Sequence, residues 1–325
     1  MLIAPLHAGP IDIIGDVHGE LTALKMLMER LGYSADGAHP DARRLVFVGD
    51  LVDRGEDSGG VVTLVQHLIE SRGAQCILGN HELNLLLGKT DKEGNRWFVG
   101  SQDTYEDQRD GPKLPFQSRL LQDAERRAEI LAFFGALPLA LERSDLRVVH
   151  AAWSDHAVNA LRTETGSVVE IYNRHRDAIT ASEQYLGARD NDARELLKQN
   201  ENPVKVLTSG LEARAPAPYR ANGSLRTLAR VPWWNQYVAQ QRVVFGHYWR
   251  ELDGTTVRPN SSSPFKGISG HAWLGEQERA MCIDYRVGKR YRARNGTKLE
   301  HPALLAALRL EREGCDTPPQ LIFHT

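Results

Sequence analysis

Four short peptides share one layout: an apolar run, then glycine, then a residue able to bind a cation. They run Ile11 to Gly19, Leu45 to Asp50, Cys76 to Glu82 and Val243 to His247. Asp16 and His18, two residues apart on one turn, can chelate a divalent ion. Asp50 suits a bridge between two ions, because a carboxylate offers two oxygens and several lone-pair directions. Asn80, His150 and His247 can complete the second ion. Two divalent ions held ~3.5–4 Å apart clamp a phosphoryl group and make water nucleophilic at neutral pH, in line with the phosphorus.

Such side chains need elements that deliver them to one place. A short β-rich apolar run reads as a buried strand, and the glycine lets the chain turn sharply as it leaves the sheet. After the first strand, Leu21, Leu24, Leu27, Met28 and Leu31 recur at helical spacing up to Gly32. Val61, Val62, Val65, Leu68 and Ile69 do the same up to Gly73, so both glycines predict C-terminal caps. A third helix starts near Glu82. This βαβαβ order predicts parallel strands with right-handed crossovers, whose C-terminal edge carries the ligands.

Further along, residues 90–115 are polar and without period, a loop or lid. Ser118 to Phe134 reads as an amphipathic helix. Leu137 to Glu142 and Leu146 to His150 form an antiparallel hairpin in this reading, so a further strand ends in histidine. Residues 155–230 read as a substrate-shaping insertion in a single domain, with helices around Ile171–Ala181 and Ala193–Gln199. Arg242–Phe245, Ala280–Tyr285 and Leu321–His324 return to strand character.

GDVHG (15–19), GDLVDRG (49–55) and GNHE (79–82) occur in that order. Together they resemble the signature blocks of the phosphoprotein phosphatase branch of the calcineurin-like metallophosphoesterases. The stretch Val206–Glu212 through Arg230–Trp234 resembles bacterial members more loosely. The resemblance implies an α/β fold of two packed mixed β-sheets flanked by helices. It implies Asp16, His18 and Asp50 on the first metal, and Asp50, Asn80, His150 and His247 on the second. By the same resemblance, His81 protonates the leaving oxygen, Asp53 orients its ring, and Arg54 grips phosphate. The family's second phosphate-binding arginine has no unambiguous counterpart. Arg230 is the choice, with Arg226 and Arg162 as alternatives. After His150 the chain reads Ala151-Ala152-Trp153, where eukaryotic protein phosphatases commonly carry glycine.

The resemblance predicts a dinuclear-metal phosphomonoester hydrolase acting through a metal-bridging hydroxide. Its substrates would be protein phosphoserine and phosphothreonine, or small phosphorylated metabolites. A dinucleoside polyphosphate hydrolase is the alternative, and a catalytically silent binding module is a third reading. Mixed His, Asn and Asp ligation suits Mn²⁺, Fe or Zn²⁺ better than Mg²⁺ or Ca²⁺, with manganese chosen by resemblance.

Singly, these residues have simpler readings. Asp16 and Asp57 could cap helices, Arg54 could sit in a surface ion pair, and a lone histidine is usually a hydrogen-bonded core or surface residue. Glu82 reads as serving the start of its helix. Trp233-Trp234 reads as packing. Lys289–Arg294 reads as a solvated hairpin turning at Asn295-Gly296. A formal net charge of −2 over 325 residues gives no global pull toward nucleic acid or anionic membrane. No apolar stretch approaches the ~20 residues of a membrane span. Cys76, Cys282 and Cys315 lack CxxC spacing and point to a reducing compartment. With no basic, apolar leader at Met1–Pro10, the expectation is a cytoplasmic protein.

Overall fold

The computed structural model describes residues 1–90, 94–101, 104–105, 114–221, 224–252 and 263–325. The chain begins with β1 (Ile3–Pro5), β2 (Ile11–Ile14), α1 (Leu21–Leu31), β3 (Arg44–Phe47), α2 (Ser58–Arg72), β4 (Gln75–Cys76) and α3 (Asn80–Leu86). β2, β3 and β4 are parallel neighbours, as the alternation of strand and helix predicts. Gly32 and Gly73 end α1 and α2 with φ of 93° and 64°, the left-handed conformation that glycine adopts most cheaply. Asp57 caps α2 by accepting the Gly60 N–H. Asp16 caps nothing, because α1 begins only after Glu20.

A two-residue strand pair follows, β5 (Thr104–Tyr105) with β6 (Leu114–Pro115). The rest of the expected lid, 91–93, 102–103 and 106–113, lies outside the described residues. α4 spans Ala124–Ala136 and starts later than its apolar period suggests, because Asp123 supplies its cap. β7 (Ala140–Glu142) and β8 (Leu146–Val149) form the expected antiparallel hairpin. Five helices follow: α5 (Asp155–Arg162), α6 (Val168–Ala181), α7 (Glu183–Leu186), α8 (Asn191–Asn200) and α9 (Pro203–Ser209). The hairpin β9 (Glu212–Ala221) and β10 (Ser224–Arg230) leads to β11 (Arg242–Phe245), β12 (Ala280–Cys282), β13 (Asp284–Tyr285), α10 (Arg290–Arg294), β14 (Leu304–Leu310) and β15 (Gln320–Phe323).

Two sheets organise these elements. One has the order β1-β7-β8-β11-β12; the other runs β13-β14-β2-β3-β4, with β15 also on β14. Side chains alternate across each strand. Ile11, Ile13, Val46 and Val48 of one sheet meet Leu141, Leu146, Val148 and Val244 of the other in a shared core. Their opposite faces, including Ile14, Phe47, Val149 and Phe245, pack with Leu24, Val61, Val158 and Leu207 from the helices. Trp233 and Trp234 are buried there too, against Phe245. The fold is α/β, two mixed sheets face to face with helices outside.

The expected hairpin at Lys289–Arg294 is instead helical. Arg290 and Arg294, four residues apart, both reach the buried Glu20 carboxylate, and Tyr291 between them packs on Phe116. One helical turn satisfies all three contacts, whereas a hairpin would scatter them. Asn295 and Gly296 end that turn, and the next strand waits until Leu304.

Candidate metal centre

His18, Asp50, Asn80, His150 and His247 all follow strand ends: β2, β3, β4, β8 and β11. The two sheets present these ends to one concavity. Backbone conformation there is unusual. His18, Asp50, Asp53, Arg54 and His247 have φ between 47° and 75°, which costs a non-glycine residue about 1–3 kcal/mol each. Glycines make the close approaches: a Cβ on Gly246 would stand 1.9 Å from Asp16 Oδ1, and one on Gly49 would stand 2.5 Å from Gly79 N.

Asp50 sits at the middle. Its Oδ2 lies 3.8 Å from His18 Nε2 and from His81 Nε2, and its Oδ1 lies 3.3 Å from His150 Nε2. Ligand atoms of His18, Asp50 and His81 all fall within 4.8 Å of one another, as do those of Asp50, His150 and His247. Asn80 Oδ1 lies 3.1 Å from His150 Nε2 and 2.7 Å from His247 Nδ1. Asp16 is in neither tight group. Both its oxygens accept the His247 N–H, at 3.3 and 3.0 Å.

The tautomers fit a cation. His18 Nδ1 faces the Val52 carbonyl at 3.1 Å, and His150 Nδ1 faces the Val48 carbonyl at 2.8 Å. A carbonyl can only accept, so each Nδ1 carries hydrogen and each neutral ring aims its Nε2 lone pair into the site. Those lone pairs meet Asp50 and Asn80 oxygens, which are acceptors too. Acceptors converging on acceptors need positive charge between them, from protons or from a metal.

Ionisation shows the same demand. Burial, then the neighbouring Asp284 and Asp50, pushes the Asp16 carboxyl well above the usual range. Burial works against the Asp50 carboxylate as well, yet the imidazoles of His150, His81 and His18 hold its pKa well below normal. His150 and His81 are raised despite burial, because the Asp50 carboxylate outweighs it. His18 and His247 are lowered by burial, then by Arg54 and Arg230 respectively.

The three remaining predicted residues close the site on one side. Asp53 Oδ2 stands 2.5 Å from His81 Nδ1. Arg54 Nη1 and Nη2 stand 3.0 and 3.2 Å from the Nε2 atoms of His18 and His81. Arg230 donates to the His247 carbonyl at 3.0 Å and lies over the Tyr248 ring. Its alternatives point elsewhere: Arg226 is exposed on β10, and Arg162 pairs with Glu142.

Several neighbours were not legible beforehand. The Trp97 indole donates to Asp53 Oδ1 at 2.7 Å, from a loop with no periodic signal. Asp284 lies beside Asp16, and among the described residues one of its buried oxygens has no hydrogen-bond partner; it ends an apolar run, the one signal that could have found it. Glu82 does more than serve its own helix. Besides Gly79 it accepts the N–H groups of Asp50, Leu51 and Val52, fixing the bridging loop. Burial, then Asp50, raises its carboxyl pKa to about 7. Trp249 is half-buried beside Arg54, whose Cζ lies 5.4 Å from the ring centroid, and Lys289 Nζ lies 4.5 Å from the same centroid.

The model of the calcineurin-like phosphoesterase family matches residues 9–248, most of the chain and every strand-end residue of the site. The chain belongs to the calcineurin-like phosphoesterase family. Candidate metal-binding residues of this chain are in place. Relatives named asymmetrical bis(5'-nucleosyl)-tetraphosphatase PrpE occur in Halalkalibacterium halodurans and Oceanobacillus iheyensis. They are 48% identical over 73 residues and 49% over 74, covering 22% of this chain and 30% of each relative. The match thus spans under a third of those relatives' length. A protein serine/threonine phosphatase from Saccharomyces cerevisiae has a similar fold, with TM-score 0.50 and 14% identity over 99% of this chain and 82% of that one. No helix among the described residues is long and apolar enough to cross a membrane.

Proposed function

We propose that this family member is a dinuclear-metal hydrolase of phosphoric esters and anhydrides, built as a single domain with 155–230 shaping substrate access. Asp16, His18 and Asp50 hold one ion in this reading; Asp50, Asn80, His150 and His247 hold the other. The observation that carries it is the convergence of strand-end acceptors on both oxygens of Asp50. Bound ions, manganese by preference and iron or zinc otherwise, supply Lewis-acid charge to phosphoryl oxygens and acidify water. Arg54 grips phosphate by its two-pronged guanidinium, and Arg230 stands on the His247 side as a second cation. His81 delivers a proton from Nε2 to the leaving oxygen, while Asp53 and Trp97 fix the ring through Nδ1.

For substrate, a dinucleoside polyphosphate comes first and a phosphorylated protein second. A phosphomonoester needs one anion site, whereas a polyphosphate chain needs cations in series. Lys289, at the same Trp249 ring as Arg54, supplies a further cation beyond Arg54 and Arg230, and the named PrpE relatives support this order. Parallel assays with Mn²⁺-loaded protein on diadenosine tetraphosphate and on a phosphothreonine peptide test it. Turnover of the tetraphosphate is expected to dominate; turnover of the peptide alone reverses the order. Turnover of neither, nor of nitrophenyl phosphate, sinks the hydrolase reading.

A further inference from the structure

The helices between the hairpin β7–β8 and β9 enclose a second feature, a cavity of about 640 Å³ with walls from α3, α6, α7, α8 and α9. Its volume is within the ~300–1,000 Å³ of small-molecule sites. Its charge is one-sided: Lys89, Arg176, Lys198 and Lys205 line it, with Glu195 the one carboxylate among the lining residues. That carboxylate is engaged by Lys198 at 2.9 Å. Among the described residues Arg176 pairs with Asp177, its exposed chain neighbour.

Lys205 is the most informative member. It is half-buried on α9, and among the described residues its ammonium has no carboxylate within ion-pair distance. Burial, then the charge of Lys89, lowers its pKa. Two other ammonium groups are held over aromatic rings. Lys89 Nζ lies 5.5 Å from the Tyr172 centroid, and Lys198 Nζ lies 5.3 Å from that of Tyr185. The cavity therefore gathers four cationic side chains around one lining carboxylate, close enough to repel one another, and holds two of them on rings. A multiply charged anion relieves that repulsion, and a walled concavity strengthens the attraction by excluding water.

We propose that this cavity binds a diphosphate-bearing small molecule, at a site separate from the metal centre. The separation follows from α3. Asn80 and His81 begin that helix, while Leu86, Leu87 and Lys89 border the cavity past its other end. At 1.5 Å per residue the two sites are about 10 Å apart along the helix. Phosphate oxygens are the recognised chemistry, since the lining offers three ammonium groups and a guanidinium against one carboxylate. The bound species is either an inorganic oligophosphate or a nucleotide.

The test uses the full-length, Mn²⁺-loaded protein and calorimetric titration with methylenediphosphonate, whose P–C–P bridge resists hydrolysis. Two binding events are expected. Arg54→Ala should weaken one of them. Lys205→Gln should weaken the other about tenfold, the scale of one lost charge-assisted contact, with nitrophenyl phosphate turnover unchanged. Arg176→Gln, at an exposed position, should act in the same direction without threatening the fold. α,β-Methylene-ADP then separates the sources. Tighter binding than the diphosphonate at the Lys205-sensitive site assigns a nucleotide, and equal binding assigns a bare oligophosphate. A single binding event, lost in Arg54→Ala and indifferent to Lys205→Gln and Arg176→Gln, overturns the proposal.

Discussion

The Asp53 carboxylate lies 2.5 Å from Nδ1 of His81, both side chains being buried. Its other oxygen is occupied by the Trp97 indole N–H, so the carboxylate cannot swing away, and the imidazole is fixed with Nε2 toward Asp50 and Arg54. Asp53→Asn keeps the size and removes the charge. An amide can present either an acceptor or an N–H to Nδ1, and the doubly protonated ring then keeps only the Asp50 carboxylate in its favour. The expected result is a kcat lower by about 10²-fold, with the basic limb of the pH–rate profile, where the protonated His81 is lost, moved to lower pH. A profile unchanged in position would mean that Asp53 only packs.

His81 itself separates acid catalysis from simple positioning. His81→Ala should lower kcat by about 10²–10⁴-fold on substrates whose leaving oxygen needs a proton. It should matter far less for nitrophenyl phosphate, whose leaving group departs as a stable anion. Equal losses on an alkyl phosphate and on nitrophenyl phosphate would remove His81 from the acid role.

The substrate order rests on Lys289. Lys289→Gln removes the cation that shares the Trp249 ring with Arg54. The KM for diadenosine tetraphosphate should rise about tenfold, the loss expected for one ion contact to a phosphate chain. The KM for nitrophenyl phosphate should not move. A matching rise for both would place Lys289 at the reacting phosphate instead.

How much of this could be read from the chain depended on whether a signal was local. β2, α1, β3, α2 and β4 were legible because buried strands and amphipathic helices each carry their own period, and glycine marked each exit. The same strand-end logic picked out His18, Asp50, Asn80, His150 and His247, which the fold brings together, and Asp16, which accepts the His247 N–H beside them. β14 was not legible. Leu304–Leu310 is rich in Leu and Ala, which favour helix, yet it lies between β2 and β15 and is extended because partners on both edges require it. The Lys289–Arg294 turn failed for a similar reason: its conformation is set by Glu20, far away in sequence. Trp97 and Lys289 owe their places to loops that fold over the site, which no spacing rule predicts.

One histidine outside the site should leave a mark on stability. The sequence reading assigned nothing to His324, yet it is buried where β15 ends, and its Nδ1 accepts the Leu305 N–H at 3.1 Å. Arg290 Nη1 lies 3.0 Å from its Nε2. Burial, then that guanidinium, lowers its pKa from 6.5 to about 4. Between those values the unfolded chain takes up a proton that the folded chain does not. The contribution is therefore complete above pH 6.5 and is lost as pH falls toward 4. Allowing for solvent screening, it is on the order of 1–2 kcal/mol. His324→Gln keeps an acceptor for Leu305 and cannot titrate. Urea unfolding at pH 7 and pH 4.5 should show a smaller acid loss in the variant than in the parent chain. Identical losses in both proteins would mean that this imidazole is protonated as readily folded as unfolded.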